Sequence, residues 1–264
     1  MIGQTDPLPL TRTCFGWTSD ICYACPGFAT PQFEQFMKRV IVIGAGGHGR
    51  EVADILRHQA QNESDLEIHG FVDEDPALHH KVINGLPVLG NWSWFAAVDR
   101  SEMAVLCAVG SPEIRKQLVA RARLIGLSFV NAISPLAHIS SSAQIGEGVM
   151  MFPYSVAGAN SFVGDHAIVN VAATISHDTK IGRYGTLNPG VHLAGNVTVS
   201  EGCQLGLSAS VIHGVSIGSW TTIGAGAVVL RDLPERVTAV GVPARVIKTK
   251  ELHRHESPTG LPGK

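Results

Sequence analysis

Between Ile139 and Val229 every sixth residue is apolar: Ile139, Ile145, Met151, Ala157, Val163, Val169, Ile175, Ile181, Leu187, Leu193, Val199, Leu205, Val211, Ile217, Ile223 and Val229. At an overall apolar content of 45%, an unbroken run of sixteen is not a chance pattern. Four residues after each lies a second series, running from Ala143 through Ser155, Ala167, Thr179, Val191, Cys203 and Val215 to Ala227, all small or β-branched. Glycine often follows the first series directly, as at Gly146, Gly158, Gly164, Gly182, Gly206, Gly218 and Gly224. A period of six fits neither the 3.6 of a helix nor the 2 of an amphipathic strand. It fits a hexapeptide solenoid, where short parallel strands alternate with tight corners. The apolar residue then points into a narrow core and the small residue fits inside the corner. Glycine accepts backbone angles that other residues resist. Three hexads close one triangular coil, so residues 18 apart in the chain stack at roughly 4.8 Å.

The chain ahead of the solenoid has a different rhythm. Arg39–Gly44 is an apolar, β-branched strand that runs into Gly44-Ala45-Gly46-Gly47-His48-Gly49 and then a helical pattern over 50–60. Further strands are expected at Ile68–Asp73, around Val88–Gly90, at Met103–Gly110 and over 128–133. Ser111, Pro112 and Glu113 supply a cap, a first-turn proline and an acid for a second helix reaching about Leu124. Alternating strands and helices over this length predict a small parallel α/β domain, half of a Rossmann-like fold. Beyond Val229, Gly241–Ile247 reads as a cap over the last coil, which would otherwise expose its core and strand edges. The expected organisation is an extension of low order at 1–37, an α/β domain at 38–133, a left-handed β-helix with its cap at 134–247, and a frayed tail at 248–264. Met37, just before the first element, is a candidate start.

A net charge of −2 points to neither a nucleic-acid nor a membrane-surface partner. The sequence contains no apolar run long enough for a membrane-spanning helix. No basic-then-apolar leader is visible, so the cytoplasm is the expected compartment. Cys107 and Cys203 lie in apolar series and are expected to be buried thiols. Cys14, Cys22 and Cys25 form a C-x-x-C with one upstream partner. A closed zinc site wants four ligands and no second pair follows, so no metal is expected.

Two places carry chemistry. Gly44, Gly46 and Gly49 make a G-x-G-x-x-G between strand and helix, which lets backbone N–H groups approach a phosphate at the helix N-terminus. The domain is too small for two mononucleotide halves, so the diphosphate of a nucleotide-sugar fits better than a dinucleotide; a purely structural turn is the third possibility. His48, at the tip, is either a ligand contact or an exposed helix-start residue. In the solenoid, His177 and His213 are 36 apart and share one line, with Gly195 leaving room between them. Asp178 follows His177 and is placed to orient an imidazole for general-base work, against the plainer reading of a surface pair. Asn170 is a candidate polar contact or a stacking corner residue. His138, His166 and His192 fall in other phases and are expected on the surface.

The GAGGHG loop, FVDED, AVGSPEIRK, the hexads containing Asn170 and Ser176-His177-Asp178, and a terminal GVPA together resemble one family. It is that of the sialic acid O-acetyltransferases and the bacillosamine and perosamine N-acetyltransferases, over about residues 39–247. The resemblance implies acetyl-CoA-dependent transfer to a sugar, in a homotrimer with active sites between neighbouring β-helices. It implies His177 as general base and Asp178 as its orienting acid, in a position usually held by Glu. It implies that Asn170 contacts the sugar, and that Gly47, His48, Gly49, Asp73, Glu74 and Gly110 hold the nucleotide. Gly195, Leu207 and Ala225 would line the coenzyme channel. Thr186 stands where relatives often have a histidine on the acetyl group. The expected function is therefore N-acetylation of a nucleotide-linked amino sugar for surface glycan synthesis, by direct transfer without an acyl-enzyme. The alternatives are O-acetylation of a sialic acid-like sugar and, from another class, a non-catalytic scaffold.

Overall fold

The computed structural model describes residues 38–61 and 66–249. The extension at 1–37, with its three cysteines and Met37, and the tail beyond residue 249 lie outside the described residues. The first half is an α/β layer: β1 (Lys38–Ile43), α1 (Gly47–Ala60), β2 (Leu66–Val72), β3 (Val82–Ile83), β4 (Leu86–Gly90), β5 (Met103–Cys107), α2 (Pro112–Leu124) and β6 (Ser128–Phe129). The sheet order is β3-β4-β2-β1-β5-β6, parallel except for the β3–β4 hairpin. Central β1 is apolar at four successive positions because helices cover both of its faces, which is what an all-parallel core demands. Helix α2 begins as its sequence signals: Ser111 Oγ accepts from the Ile114 N–H and Pro112 occupies the first turn.

The segment 128–133 is two strands rather than one. Ser128–Phe129 ends the α/β sheet, whereas Ala132–Ile133 pairs with Met150–Met151 and opens the β-helix. From there, two-residue strands stack at a spacing of 18 residues into three parallel sheets. The first face carries Met150–Met151, Ile168–Val169, Thr186–Leu187, Gln204–Leu205 and Thr222–Ile223. The second carries Val156–Ala157, Thr174–Ile175, His192–Leu193, Ser210–Val211 and Val228–Val229. The third carries Phe162–Val163, Lys180–Ile181, Thr198–Val199 and Ser216–Ile217. Together this is the left-handed parallel β-helix that the hexads require. The apolar series from Met151 to Val229 forms one buried core, and Val237–Val240 and Arg245–Thr249 close the first face as a terminal hairpin.

The corner glycines act differently from the expectation. From Gly148 to Gly226 the left-handed backbone falls three residues after the core position, on Asn160 (φ 56°), Asp178 (φ 59°) and Asn196 (φ 58°) among others. Asn and Asp tolerate this conformation well. The glycines next to the core series instead permit close stacking: a Cβ on Gly158 would stand 2.8 Å from the Ile175 carbonyl oxygen of the next coil.

The two halves share a core. Val40, Leu56 and Phe71 of the α/β layer pack with Met150, Phe152 and Ile168 of the first face. This packing overturns one expectation. His166 is a corner residue, which in an isolated coil would face water, yet it is 1% exposed. Its ring stacks on Tyr184 at 5.5 Å and meets the edge of Phe129 at 4.6 Å. Burial, then the nearby Arg123, lowers its pKa from 6.5 to about 4. His48 falls likewise to about 4, through burial and then Arg115. Both imidazoles therefore stay neutral in the fold at pH values where the unfolded chain protonates them. Stability should fall as pH drops from 6.5 towards 4, by about 1.4 kcal/mol per pH unit for each fully titrating histidine. Urea unfolding across this range should show the slope, and His166→Phe should flatten it.

Candidate functional site

At the carboxyl edge of the parallel sheet, β1 turns into α1 through the glycine loop. Gly49 is fixed by sterics: a Cβ there would stand 1.9 Å from the Gly44 carbonyl oxygen. Gly46 caps α1 with no side-chain hydrogen bond, and the first turn carries no acid. Its N–H groups are thus left to an outside acceptor, in contrast to the capped α2. Asp73, at the end of β2, ties this loop down: its Oδ2 accepts from the Ala45 N–H at 2.7 Å and its Oδ1 from the Asp75 N–H at 2.9 Å. Glu74 is exposed and pairs with Arg121 at 3.1 Å. A crevice of about 220 Å³ opens here, lined by Gly44, Asp73, Glu74, Trp92, Val109 and Ile114. Open α/β sheets characteristically take their ligands outside the carboxyl ends of the strands, and this crevice lies at that edge. Gly110 is at the same edge, after β5. Gly49→Ala should cost about 1–3 kcal/mol of stability, because backbone rather than a movable side chain blocks the methyl. Denaturant unfolding checks this.

His48 is not at an exposed tip. It is half-buried and stacks on Phe152 of the β-helix at 5.3 Å, with its Nε2 buried and unbonded. A larger cavity of about 580 Å³ lies beside it, between Glu51 and Asp54 of α1 and Pro135, Phe152 and Val171 of the β-helix. The smaller crevice is the one at the carboxyl edge of the sheet. Asn170 stands next to the larger cavity and is partly buried; its Oδ1 accepts from the Val171 N–H at 2.7 Å.

The second group sits on the corner between the second and third faces. His177 and Asp178 are 58% and 52% exposed. His177 Nδ1–H donates to Asp178 Oδ2 at 2.8 Å, since an ionised carboxylate only accepts. That fixes the tautomer and leaves Nε2 as a free acceptor. The hydrogen bond from His177, then one from Asn160 Nδ2 to Oδ1 at 3.3 Å, holds the Asp178 carboxyl below its ordinary value. Gly195, one coil on, lies directly beneath the ring: a Cβ there would be 2.4 Å from His177 Cε1 and Nε2. The His213 ring leans in from the following coil, 6.3 Å from that of His177.

The remaining expected residues are elsewhere. Leu207 and Ala225 are exposed, one above the other, on the corner between the first and second faces. Thr186 requires a correction. It is 3% exposed on the first face, with its Oγ1 accepting from Arg115 Nη2 at 2.9 Å, so packing against the α/β domain seals it from a coenzyme channel. Arg115 itself and Phe152 were not foreseen. Arg115 carried a signal: with Pro112, Val119 and Ala122 it occupies the buried stripe of α2, where a charge is out of place. Among the described residues no cluster of three or more His, Cys, Asp or Glu is placed to hold a metal. No described helix is long and apolar enough to cross a membrane.

A three-sided hexapeptide β-helix behind a small nucleotide-type sheet is the architecture of the hexapeptide-repeat acyltransferases. Residues 39–122 match the PglD N-terminal domain family. The chain is 29% identical over 200 residues to the GDP-perosamine N-acetyltransferase of Escherichia coli O157:H7, covering 76% of this chain and 81% of that one. Among solved structures, a GDP-perosamine N-acetyltransferase variant from Caulobacter crescentus, in complex with CoA and GDP-perosamine, is 38% identical with a TM-score of 0.72. It covers 78% of this chain and 95% of its own. The acetyltransferase domain of PglB from Neisseria gonorrhoeae FA1090, in complex with acetyl coenzyme A, is 32% identical with a TM-score of 0.73, covering 80% and 100%. The chain belongs to the acetyl-CoA-dependent sugar N-acetyltransferases of the hexapeptide-repeat, left-handed β-helix type. The substrate class of this family is the nucleotide-linked sugar, and the scaffold alternative is set aside.

Proposed function

We propose that this protein transfers the acetyl group of acetyl-CoA to the amine of a nucleoside-diphosphate amino sugar, with His177 as general base. The observation that carries the reading is the His177–Asp178 pair, with Nε2 free and solvent-facing. The N-acetyl chemistry named for the relatives favours the amine over a hydroxyl acceptor. Nε2 takes a proton from the amine as its nitrogen attacks the thioester carbonyl. The C–N bond forms, the C–S bond breaks, and the proton passes from the imidazolium to the departing coenzyme thiolate. Asp178 stabilises the imidazolium and holds the ring in its working tautomer. A backbone N–H along the coil stabilises the oxyanion. The diphosphate lies on Gly47, His48 and Gly49 at the start of α1, with Asp73, Glu74 and Gly110 around the nucleotide and Asn170 towards the sugar.

The geometry supports a homotrimer. The α/β domain covers the first face of the coil, whereas His177 is on the corner opposite that face. One chain therefore separates its nucleotide loop from its base, and a neighbouring copy would bring the two together, with Gly195 of one β-helix and Leu207 and Ala225 of the other lining the coenzyme. Thiol release from acetyl-CoA with a panel of UDP- and GDP-amino sugars tests the substrate. Sedimentation tests the assembly. Mixing inactive His177→Ala protein with inactive Gly49→Ala protein tests the shared site: subunit exchange should restore activity, and its failure despite exchange would place base and nucleotide on one chain.

A further inference from the structure

Arg115 is fully buried on α2. It donates all five of its N–H groups: Nε to the His166 carbonyl at 2.8 Å, Nη1 to the Val109 and Gly110 carbonyls at 2.7 and 3.0 Å, and Nη2 to the Tyr184 carbonyl and Thr186 Oγ1 at 2.7 and 2.9 Å. Every acceptor is neutral, and no carboxylate among the described residues is bonded to Arg115; Glu113 acts on it only through space. Burial drags its pKa down to about 10, so the guanidinium remains charged at neutral pH. A buried cation without a bonded counter-charge is costly, and an apolar side chain in its place is often as stable or more so. Stability alone is therefore a weak reason for an arginine here.

The acceptors give a better one. Three belong to successive coils of the β-helix: His166 and Tyr184 are corner residues 18 apart, and Thr186 lies on the first face. The other two are consecutive carbonyls of the loop after β5, where Val109 walls the nucleotide crevice. A trans peptide points its N–H opposite to its C=O. Drawing the carbonyls of Val109 and Gly110 towards the guanidinium therefore turns the N–H groups of Gly110 and Ser111 away from it. Neither N–H has an acceptor among the described residues. Successive unpaired N–H groups of this kind form an anion-binding nest. The positive charge beneath them reinforces it, and lies close enough to His48 to help keep that imidazole neutral.

We infer that Arg115 is a positioning residue for the diphosphate of the nucleotide-sugar: it clamps the 109–110 loop to the β-helix and aims the Gly110 and Ser111 N–H groups at the phosphates. This rests on the nucleotide-sugar reading above and assigns it a residue that touches neither substrate.

The test uses the full chain, calorimetric titration with UDP and GDP, initial rates with each substrate varied, and thermal melting. Arg115→Lys keeps the charge but loses the fork. Nucleoside-diphosphate Kd and nucleotide-sugar KM should rise about tenfold or more, while kcat and the acetyl-CoA KM change little. Thr186→Val removes the acceptor of one Arg115 bond together with the hydroxyl's own bond to the Gly110 carbonyl at 3.5 Å, and preserves volume, so it should fold even if Arg115→Lys does not. It should raise the nucleotide-sugar KM by about threefold and leave the acetyl-CoA KM unchanged. Unchanged nucleotide affinity in a folded variant overturns the assignment, as does an equal loss in kcat and both KM values. A Thr186→Val effect confined to acetyl-CoA also overturns it, returning Thr186 to the coenzyme. Wild-type protein that binds neither UDP nor GDP overturns the nucleotide-sugar reading and this assignment together. Wild-type binding with unaltered variants overturns this assignment alone.

Discussion

Replacing His177 by alanine is expected to lower kcat for acetyl transfer by about 10²–10⁴-fold, the contribution typical of a positioned proton acceptor. Both KM values should change little, because the ring's work is done on the proton rather than in ground-state binding. The side chain is 58% exposed and its ring hydrogen bond runs to its sequence neighbour, so melting should be almost unaffected. His213→Ala is the matched control: its ring is 6.3 Å away and lacks an adjacent carboxylate, so its loss should be far smaller. Steady-state thiol release decides the matter. A His177→Ala enzyme with wild-type kcat would remove the base from the mechanism.

The second large effect is expected at a residue with no chemistry of its own. In Gly195→Ala the new methyl carbon would sit 2.4 Å from His177 Cε1 and Nε2 and 3.0 Å from Nδ1. The obstructed group is the end of a side chain rather than backbone, so the ring can swing outwards and the coil can keep its stacking. Swinging out breaks the Nδ1–Asp178 hydrogen bond and carries Nε2 away from the nucleophile. Displacement of a reacting group by about 1 Å costs on the order of 10²-fold in rate, and that is the expected fall in kcat. The unfolding free energy should move by less than about 1 kcal/mol: Gly195 is buried, but the group in the way is the exposed His177 ring, which can move while the backbone stays in place. A large stability loss with intact kcat would instead make Gly195 a packing glycine like Gly158.

These two residues show how unevenly the site could be read in advance. The line His177, Gly195, His213 follows from a spacing of 18, and so does the gap left at Gly195. The glycines of the loop and the cap of α2 follow from local sterics and hydrogen bonding. His166 and Thr186 could not be placed this way. Each looks outward from its own coil and is buried only because the α/β domain lies on the first face, a contact between segments distant in the chain. Arg115 was visible as a charge in an apolar stripe, but its partners lie as many as 71 residues away and follow no period.

The sequence by itself determined the three-sided spiral, its core, the half-sized α/β sheet ahead of it and the corner position of His177. The spiral rests on a six-residue period that repeats the same constraint at every coil, and the sheet on local strand, turn and helix-cap signals. Only the tertiary structure decided which face the sheet covers, and hence that His48, His166 and Thr186 are enclosed and that five donors of Arg115 lock the two parts together. Those outcomes depend on the docking of two independently patterned surfaces, and residue spacing along a chain does not encode which surfaces meet.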